Sequence, residues 1–425
     1  MRMYNQDHIF MSGIGGIGMS ALAQLLHARG AYVTGSDRSH SPTTTLLLQK
    51  GIAVEIGQKP ENVPVDAVLL VYSAALAETH PERVRARELG IPEVSYFEML
   101  GRVAKDMRTI AVAGTHGKTT TTAMLGKILI DAGVHPSVVV GSLVEEFGGN
   151  YVEGKSNILV VEACEYQRHF LHLSPEVLVV TNLEYDHTDY FKNMHDIQDA
   201  FRTLMEKTTA AIVTNTQDSN ITPLLSGLRV PVIDYLQEPD YELQLLGEFN
   251  VMNARAAAAA ARTVVPNISD ESLCTSLRMF RGTWRRLEYK GKTKQATDVY
   301  DDYAHHPTAI RGTLKALRAR TRGKLVVLFQ PHLFSRTHDL FEDFAASFQD
   351  ADEILLAPIY AAREEDDGLV SSERLASRIR ELGGDARAVT LESIEKEITG
   401  RTHKEDIIIT MGAGDVYKVA DMLVK

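Results

Sequence analysis

Several clusters in this chain have the residue types and spacing to do chemistry. The first is Gly114-Thr-His-Gly-Lys-Thr-Thr120. Gly114 and Gly117 let the backbone bend so that its N–H groups point inward at an anion. A helix beginning near Lys118 would add the positive end of its dipole. Lys118 is spaced to reach the β- and γ-phosphates of a nucleoside triphosphate, and the Thr119 hydroxyl to hold Mg²⁺. The usual first glycine of such a loop, five residues before Gly117, is Val112 here. The second cluster is Gly13-x-Gly15-x-x-Gly18, with Asp37 at the distance where an acid meets a ribose diol. Any diphosphate linked to a ribose fits it, NAD and a uridine diphosphate sugar alike.

Further candidates lie after these loops. Glu162 ends the apolar run Val160-Val-Glu162 and suits a metal-holding acid beside Thr119. In Asn182-Leu-Glu-Tyr-Asp-His187, His187 reads either as an unusual metal ligand or as a helix cap. Arg285 and Arg286 suit a departing γ-phosphate, or an exposed basic linker. Asp301-Asp-Tyr-Ala-His-His-Pro307 and Gln330-Pro-His-Leu-Phe-Ser-Arg336 gather acids, imidazoles and cations near expected strand ends. Strand ends are where α/β folds place their sites.

The elements that must position these residues alternate strand and helix. His8–Ser12 is expected as a strand, followed by an amphipathic helix that Gly30 ends. Strands at Ala31–Ser36, Val54–Ile56 and Ala67–Tyr72 complete a nucleotide-binding half of a doubly wound sheet. A helix over Glu98–Asp106 links it to a second block. That block has strands at Ile110–Ala113, Ser137–Val140, Ile158–Val161, Val177–Val180 and Ala211–Val213, then an alanine-rich helix over Asn253–Arg262. The cationic segment Phe280–Leu287 reads as a linker. A third block has strands at Lys324–Phe329, Glu353–Leu356 and Asp406–Thr410. The expected fold is therefore α/β in three domains: a Rossmann-like first domain at 1–104, a phosphate-loop domain at 105–287 and a Rossmann-like third domain at 288–425.

Composition narrows the class. At 425 residues the chain exceeds one ordinary core. Its net charge of −11 is spread along the sequence, which disfavours a dedicated nucleic-acid surface. Cys164 and Cys274, the only cysteines, have no zinc-like spacing and fit a reducing compartment. No apolar run is long enough for a membrane helix, and Met1-Arg-Met-Tyr-Asn-Gln-Asp-His8 has no signal-peptide pattern, so a cytoplasmic location is expected.

In combination these motifs resemble the ATP-dependent Mur ligases of peptidoglycan synthesis over essentially the whole chain. The carriers are Gly13 to Ser20, Gly35-Ser-Asp37, Gly114 to Thr120, Glu162, Asn182 to His187, Gly247-x-x-Asn250-x-x-Asn253, Arg285-Arg286, Asp301 to Pro307, and Phe329 to His332 with Arg336. The resemblance implies a ligase that joins an amino acid, L-alanine on the nearest pattern, to the lactyl carboxylate of UDP-N-acetylmuramate through an acyl phosphate. It implies ATP and Mg²⁺, with Mn²⁺ as an alternative, no nucleic-acid or membrane partner, and a monomer or homodimer. Gly15, Gly16, Gly18, Ser20 and Ser73 would lie near the sugar nucleotide, with Asp37 toward the uridine. Gly114, Thr115, His116, Gly117, Lys118, Thr119 and Thr120 would hold the ATP phosphates. Thr119, Glu162 and His187 would arrange the metal. Asn250 and Asn253 would meet adenine, Arg286 a phosphate and Asp302 the ribose. Tyr303, His305, His332 and Arg336 would face the muramoyl carboxylate and the amino acid, with His305 or His332 as the base.

Three residues depart from the family pattern: Cys164 replaces an Asp, Phe249 a His, and Leu333 an Arg. Rival readings are a recycling ligase that adds a preformed peptide to the same sugar, an NAD(P)-dependent oxidoreductase built on Gly13–Gly18, and a nucleotide switch without catalysis. The oxidoreductase leaves the second loop unexplained, and the switch gives the histidine clusters no role.

Overall fold

Runs such as Ile110–Ala113 and Val177–Val180 are apolar at every position, a pattern that suits a strand covered on both faces. In the computed structural model they are parallel neighbours, Val177 opposite Ile110 and Val180 opposite Ala113. The structure describes residues 5–362, 364–366, 368–390, 394–398 and 401–424.

Three sheets result. The first contains β1 (His8–Ser12), β2 (Tyr32–Asp37), β3 (Ala53–Ile56), β4 (Leu69–Tyr72) and β5 (Glu93–Ser95), in the order β3-β2-β1-β4-β5, all parallel. The second contains β6 (Arg108–Ala113), β7 (Ser137–Val144), β8 (Gly149–Val152), β9 (Ile158–Glu162), β10 (Val177–Val180), β11 (Ala211–Thr214) and β12 (Val232–Asp234). Its order is β12-β11-β10-β6-β9-β7-β8, with β8 antiparallel at one edge. The third contains β13 (Glu288–Lys292), β14 (Asp298–Asp302), β15 (Leu325–Phe329), β16 (Glu353–Leu356), β17 (Ala386–Ala388) and β18 (Ile407–Met411). Its order is β13-β14-β18-β15-β16-β17, with β13 antiparallel. Strand order reverses at β1 in the first sheet and at β6 in the second, and a glycine turn follows each of these strands. Reversal points are where open α/β sheets leave a crevice for ligand.

The sheets fall into two compact units. One runs to Leu183, adds Gln198–Tyr241 and Asn253–Arg281, and holds the first two sheets. The other holds the third sheet from Gly282 onward together with Glu184–Ile197 and Glu242–Met252. Within the first unit the helix Ile17–Ala28 packs on β7 and β8. Asn150, fully buried, joins them. Its Nδ2 donates to Ile17 O at 2.5 Å and Ser20 Oγ at 2.9 Å, and its Oδ1 accepts from Gln24 Nε2 at 3.1 Å.

Two helices differ from the sequence expectation. The linking helix is Tyr96–Ala104, starting two residues before Glu98, because Ser95 caps it. Ser95 Oγ accepts from Glu98 N at 3.2 Å and Glu98 Oε2 from Ser95 N at 2.8 Å, so Glu98 closes a capping box inside the first turn. The alanine-rich helix extends over Glu248–Val264. Six strands were not revealed by the apolar patterns: β5, β8, β12, β13 and β17 lie at sheet edges, and β14, Asp-Val-Tyr-Asp-Asp, lies between β13 and β18.

Asn150→Ala should leave buried donors and acceptors on Ser20, Gln24 and Ile17 without their partner. The expected loss is about 1–3 kcal/mol, read as a lower urea midpoint with an unchanged far-ultraviolet spectrum.

Candidate active site

The first glycine turn is built on the carboxyl end of β1. Gly13 N and Ile14 N both donate to Ser36 O at 2.9 Å, which ties the turn to β2. Asp37, the last residue of β2, accepts from Gly15 N at 2.8 Å. A Cβ on Gly15 would meet that carboxylate and the Thr44 side chain within 3 Å. Asp37 therefore shapes the turn from within. Gly16 precedes the helix Ile17–Ala28, and Gly18 lies against the Tyr96 ring. Ser20 is fully buried, donating to Ile17 O and accepting from Asn150. Ser73 follows β4 and its N–H donates to Ser12 O at 3.0 Å. Behind the turn lies Glu82, a fully buried acid that sequence reading missed. It accepts from the hydroxyls of Ser12 and of Ser36, the latter at 2.7 Å, and from Asn62 Nδ2 at 2.9 Å.

The second turn follows β6. Gly117 caps the helix Lys118–Asp131 with φ +81°, and a Cβ there would run into the Asn253 amide. Only glycine suits both demands. Asn182 clamps the turn: its Oδ1 accepts from His116 N at 2.9 Å and its Nδ2 donates to His116 O at 3.0 Å. Thr115 N reaches Asn182 O at 3.2 Å. Thr120 is buried in the first turn of the helix.

Lys118 folds back over this turn. Its Nζ donates to Gly114 O at 2.5 Å and to Glu165 Oε1 at 2.8 Å. Burial works against its charge, but Glu165 and the neighbouring Cys164 and Glu162 hold its pKa above the ordinary lysine value. Glu165 is the functional neighbour that the sequence reading passed over; the signal was a second acid three residues after Glu162. Burial and the Glu165 charge push the Cys164 thiol up to about 12, so it stays protonated and is no nucleophile. Thr119 Oγ1 donates to Glu162 Oε1 at 3.0 Å, and Glu162 Oε2 accepts from Gly141 N at 2.8 Å. A hydroxyl and a carboxylate side by side form the hard oxygen donor set that Mg²⁺ takes.

The second unit brings the remaining candidates into one network. Tyr303, His305, His332 and Tyr360 form a row. The His305 ring lies 5.2 Å from that of Tyr303 and 6.1 Å from that of His332, which stacks on Tyr360 at 5.6 Å. Arg336, buried beneath, donates from Nε to Asp186 Oδ1 at 2.9 Å and approaches His332 Nδ1 with Nη1 at 3.2 Å. Burial alone would raise the Asp186 carboxyl, but Arg336 and the imidazoles of His187, His305 and His306 hold it well below the usual range. Burial and Arg336 depress His305 well below the ordinary imidazole value, so its ring is neutral.

The stretch Glu184–Asp186 belongs with this unit because each residue is gripped there. Thr308 Oγ1 donates to Glu184 at 2.6 Å, His306 Nε2 lies 3.4 Å from Tyr185 O, and Arg336 holds Asp186. His187 follows with φ +55°, its N–H donating to Asp186 Oδ1 at 2.6 Å.

Arg285 and Arg286 diverge. Arg285 is buried, bonded to Asp301 Oδ2 at 2.8 Å, Gly414 O at 3.0 Å and Gly412 O at 2.5 Å. Arg286 is half-buried and lies over the Tyr303 ring at 4.9 Å, a ring that Arg285 also approaches at 5.3 Å. Asp302 accepts from Leu287 N, Ala304 N and Thr313 Oγ1. Burial pushes its carboxyl up to about 6 against the pull of Arg286. Asn250 is buried and donates to Leu246 O at 2.7 Å. Phe249 packs on the core of this unit. Leu333 is buried with φ +70°, a backbone region that costs a non-glycine residue about 1–3 kcal/mol. An aliphatic side chain held there carries no charge for a ligand.

The chain is similar to known proteins along nearly its whole length. The family models for the Mur ligase family catalytic domain, the Mur ligase middle domain and the Mur ligase glutamate ligase domain match residues 8–108, 112–240 and 285–414. The chain is 39% identical over 449 residues to the UDP-N-acetylmuramate–L-alanine ligase of Desulfitobacterium hafniense, covering 98% of this chain and 99% of the relative. A crystal structure of the UDP-N-acetylmuramate–alanine ligase of Thermotoga maritima superposes with a TM-score of 0.80 at 27% identity, covering 98% of both chains. A murein peptide ligase from Psychrobacter arcticus gives 0.74 at 25% identity, again covering 98% of both.

The Asp186–Arg336 pair sets a pH signature. An acid whose folded pKa is depressed adds stability above its unfolded pKa and loses it as pH falls through the folded value. The stability gap between the wild type and Asp186→Asn should therefore be about 3–5 kcal/mol. It should hold steady from pH 7 down to about pH 4, the ordinary carboxylate value, and shrink only in stronger acid, as read by urea titrations across that range.

Proposed function

The chain belongs to the Mur ligase family, and on that footing we propose that it joins L-alanine to the lactyl carboxylate of UDP-N-acetylmuramate at the expense of ATP. The observation that carries this reading is the near-full-length likeness to ligases of that name. The half-buried lysine at the second glycine turn and the imidazole row of the second unit supply the groups such a reaction needs. The work divides among residues 1–104 for the sugar nucleotide, 105–287 for ATP and 288–425 for the amino acid.

A carboxylate is a poor electrophile at neutral pH and must first be activated. Its oxygen attacks the γ-phosphorus of ATP, and the acyl phosphate that forms carries a good leaving group. Phosphoryl transfer depends chiefly on positioning and on neutralising negative oxygens. The backbone N–H groups from Gly114 to Thr119 and the Lys118 ammonium do this in the first unit. Thr119 and Glu162 would hold Mg²⁺, which would supply neutralisation of phosphate charge. Asp37 and Glu82 keep the first turn in shape for a diphosphate. The amine of L-alanine then attacks the acyl carbon and phosphate leaves. This step belongs to the His305–His332 row, with Arg336 as its cation.

Among the described residues no helix is long and apolar enough to cross a membrane. That agrees with a substrate carried on a soluble nucleotide, and we place the reaction in the cytoplasm.

Phosphate release with UDP-N-acetylmuramate and ATP should be stimulated by L-alanine above other amino acids and above a preformed tripeptide. A tripeptide preferred over free L-alanine would instead identify a recycling ligase. Lys118→Ala should lower amide formation and phosphate release together by about 10² to 10³-fold. Amide synthesis near the wild-type rate would remove Lys118 from the mechanism.

A further inference from the structure

The two imidazoles of the row are not equivalent, and their hydrogen bonds fix which nitrogen of each carries the proton. His305 Nδ1 lies 2.9 Å from the Tyr303 carbonyl oxygen. A carbonyl only accepts, so the proton of His305 is on Nδ1 and Nε2 keeps its lone pair. At His332 the opposite holds. Its Nδ1 faces Arg336 Nη1 at 3.2 Å. A guanidinium only donates, so this Nδ1 holds the lone pair and the proton sits on Nε2. Arg336 cannot turn away to relieve the constraint, because its Nε is bound to buried Asp186 at 2.9 Å. The chain thus fixes one ring as acceptor and its neighbour as donor. Both rings are half-buried, whereas Arg336 beneath them is buried, so the rings are what a ligand can reach.

We infer that His305 Nε2 is the proton acceptor for the incoming amine and that His332 Nε2–H is a hydrogen-bond donor to the amino acid's carboxylate. The inference rests on the ligase reading above for its substrate, but the polarity of the rings does not. The neutral amine's lone pair forms the N–C bond at the acyl carbon, and the carbonyl π pair moves to oxygen. The nitrogen, now cationic, gives one proton to His305 Nε2. The oxygen pair returns to rebuild the carbonyl, the C–O bond to phosphate breaks, and phosphate leaves with that bonding pair. His305 is suited to this late transfer because burial keeps its ring neutral beforehand. His332 cannot exchange roles with it without setting an N–H against the Arg336 N–H.

The test has two arms on the full chain. In the first, ¹⁵N-histidine labelling and two-bond nitrogen–proton correlation report the tautomer of each ring, with signals assigned from His305→Asn and His332→Asn. His305 should show a protonated Nδ1 and a lone-pair Nε2, and His332 the reverse. The opposite tautomer on either ring would overturn the inference.

The second arm compares nucleophiles in His305→Asn, whose amide can still donate to the Tyr303 carbonyl. The N-protonated adduct that hydroxylamine forms is far more acidic than that of alanine, so water can take its proton and the step has little need of a base. Amide synthesis with L-alanine should fall by about 100-fold or more, while hydroxamate formation from UDP-N-acetylmuramate and ATP stays near the wild-type rate. Equal loss with both nucleophiles, or no loss with L-alanine, would overturn it. Failure of the ligase reading itself looks different: the wild type would then release no phosphate with either nucleophile, and the tautomers would still be measurable.

Discussion

The first unit depends on a half-buried cation, Lys118, being paired within the protein. Lys118 follows a glycine turn and is largely removed from water. An isolated ammonium there would be driven toward its neutral form. Glu165 prevents this at 2.8 Å, with the Gly114 carbonyl as a second acceptor. The contact also sets the direction of the side chain, which lies back across the glycine turn. In the proposed reaction an arriving phosphate would bring its own negative charge, and Lys118 would change partners without being left unpaired.

The same solution recurs in the second unit. Arg336 is buried against Asp186, and Arg285 against Asp301. In the first sheet Glu82 is buried against hydroxyl and amide donors. Pairs of this kind add little net stability over apolar residues of equal volume. Their effect here is geometric. Glu82 ties the ends of β1 and β2 behind the first turn. Arg285 ties β14 to the turn after β18. Asp186 aims Arg336 at His332 and thereby sets a tautomer. Each fixed charge determines the position or polarity of a neighbouring group.

Much of this was legible in the sequence, and the gaps have physical causes. Most interior strands are apolar on both faces, so β1, β6, β9, β10, β15 and β18 stood out as continuous runs, whereas interior β14, Asp-Val-Tyr-Asp-Asp, did not. Edge strands carry no such demand. β13, Glu-Tyr-Lys-Gly-Lys, reads as a loop and becomes a strand only because β14 offers a free edge. The glycine turns were legible because their spacing is local. The partners of the charged residues were not. Asp186 and Arg336 are separated by 150 positions, and Ser36 and Glu82 by 46. For the same reason the attachment of Glu184–Ile197 to the second unit could not be seen from patterning along the chain. Arg285 and Arg286 looked alike as neighbours, yet Arg285, at φ +59°, is buried against Asp301 while Arg286 stays half-buried, and both lie over the Tyr303 ring.

The account stands on a γ-phosphate being handed to a sugar carboxylate. The direct measurement is the fate of ¹⁸O in UDP-N-acetylmuramate labelled in both lactyl carboxylate oxygens, turned over with ATP and L-alanine. Transfer through an acyl phosphate places one ¹⁸O in each phosphate released. Phosphate without label, or label recovered in AMP, would contradict it.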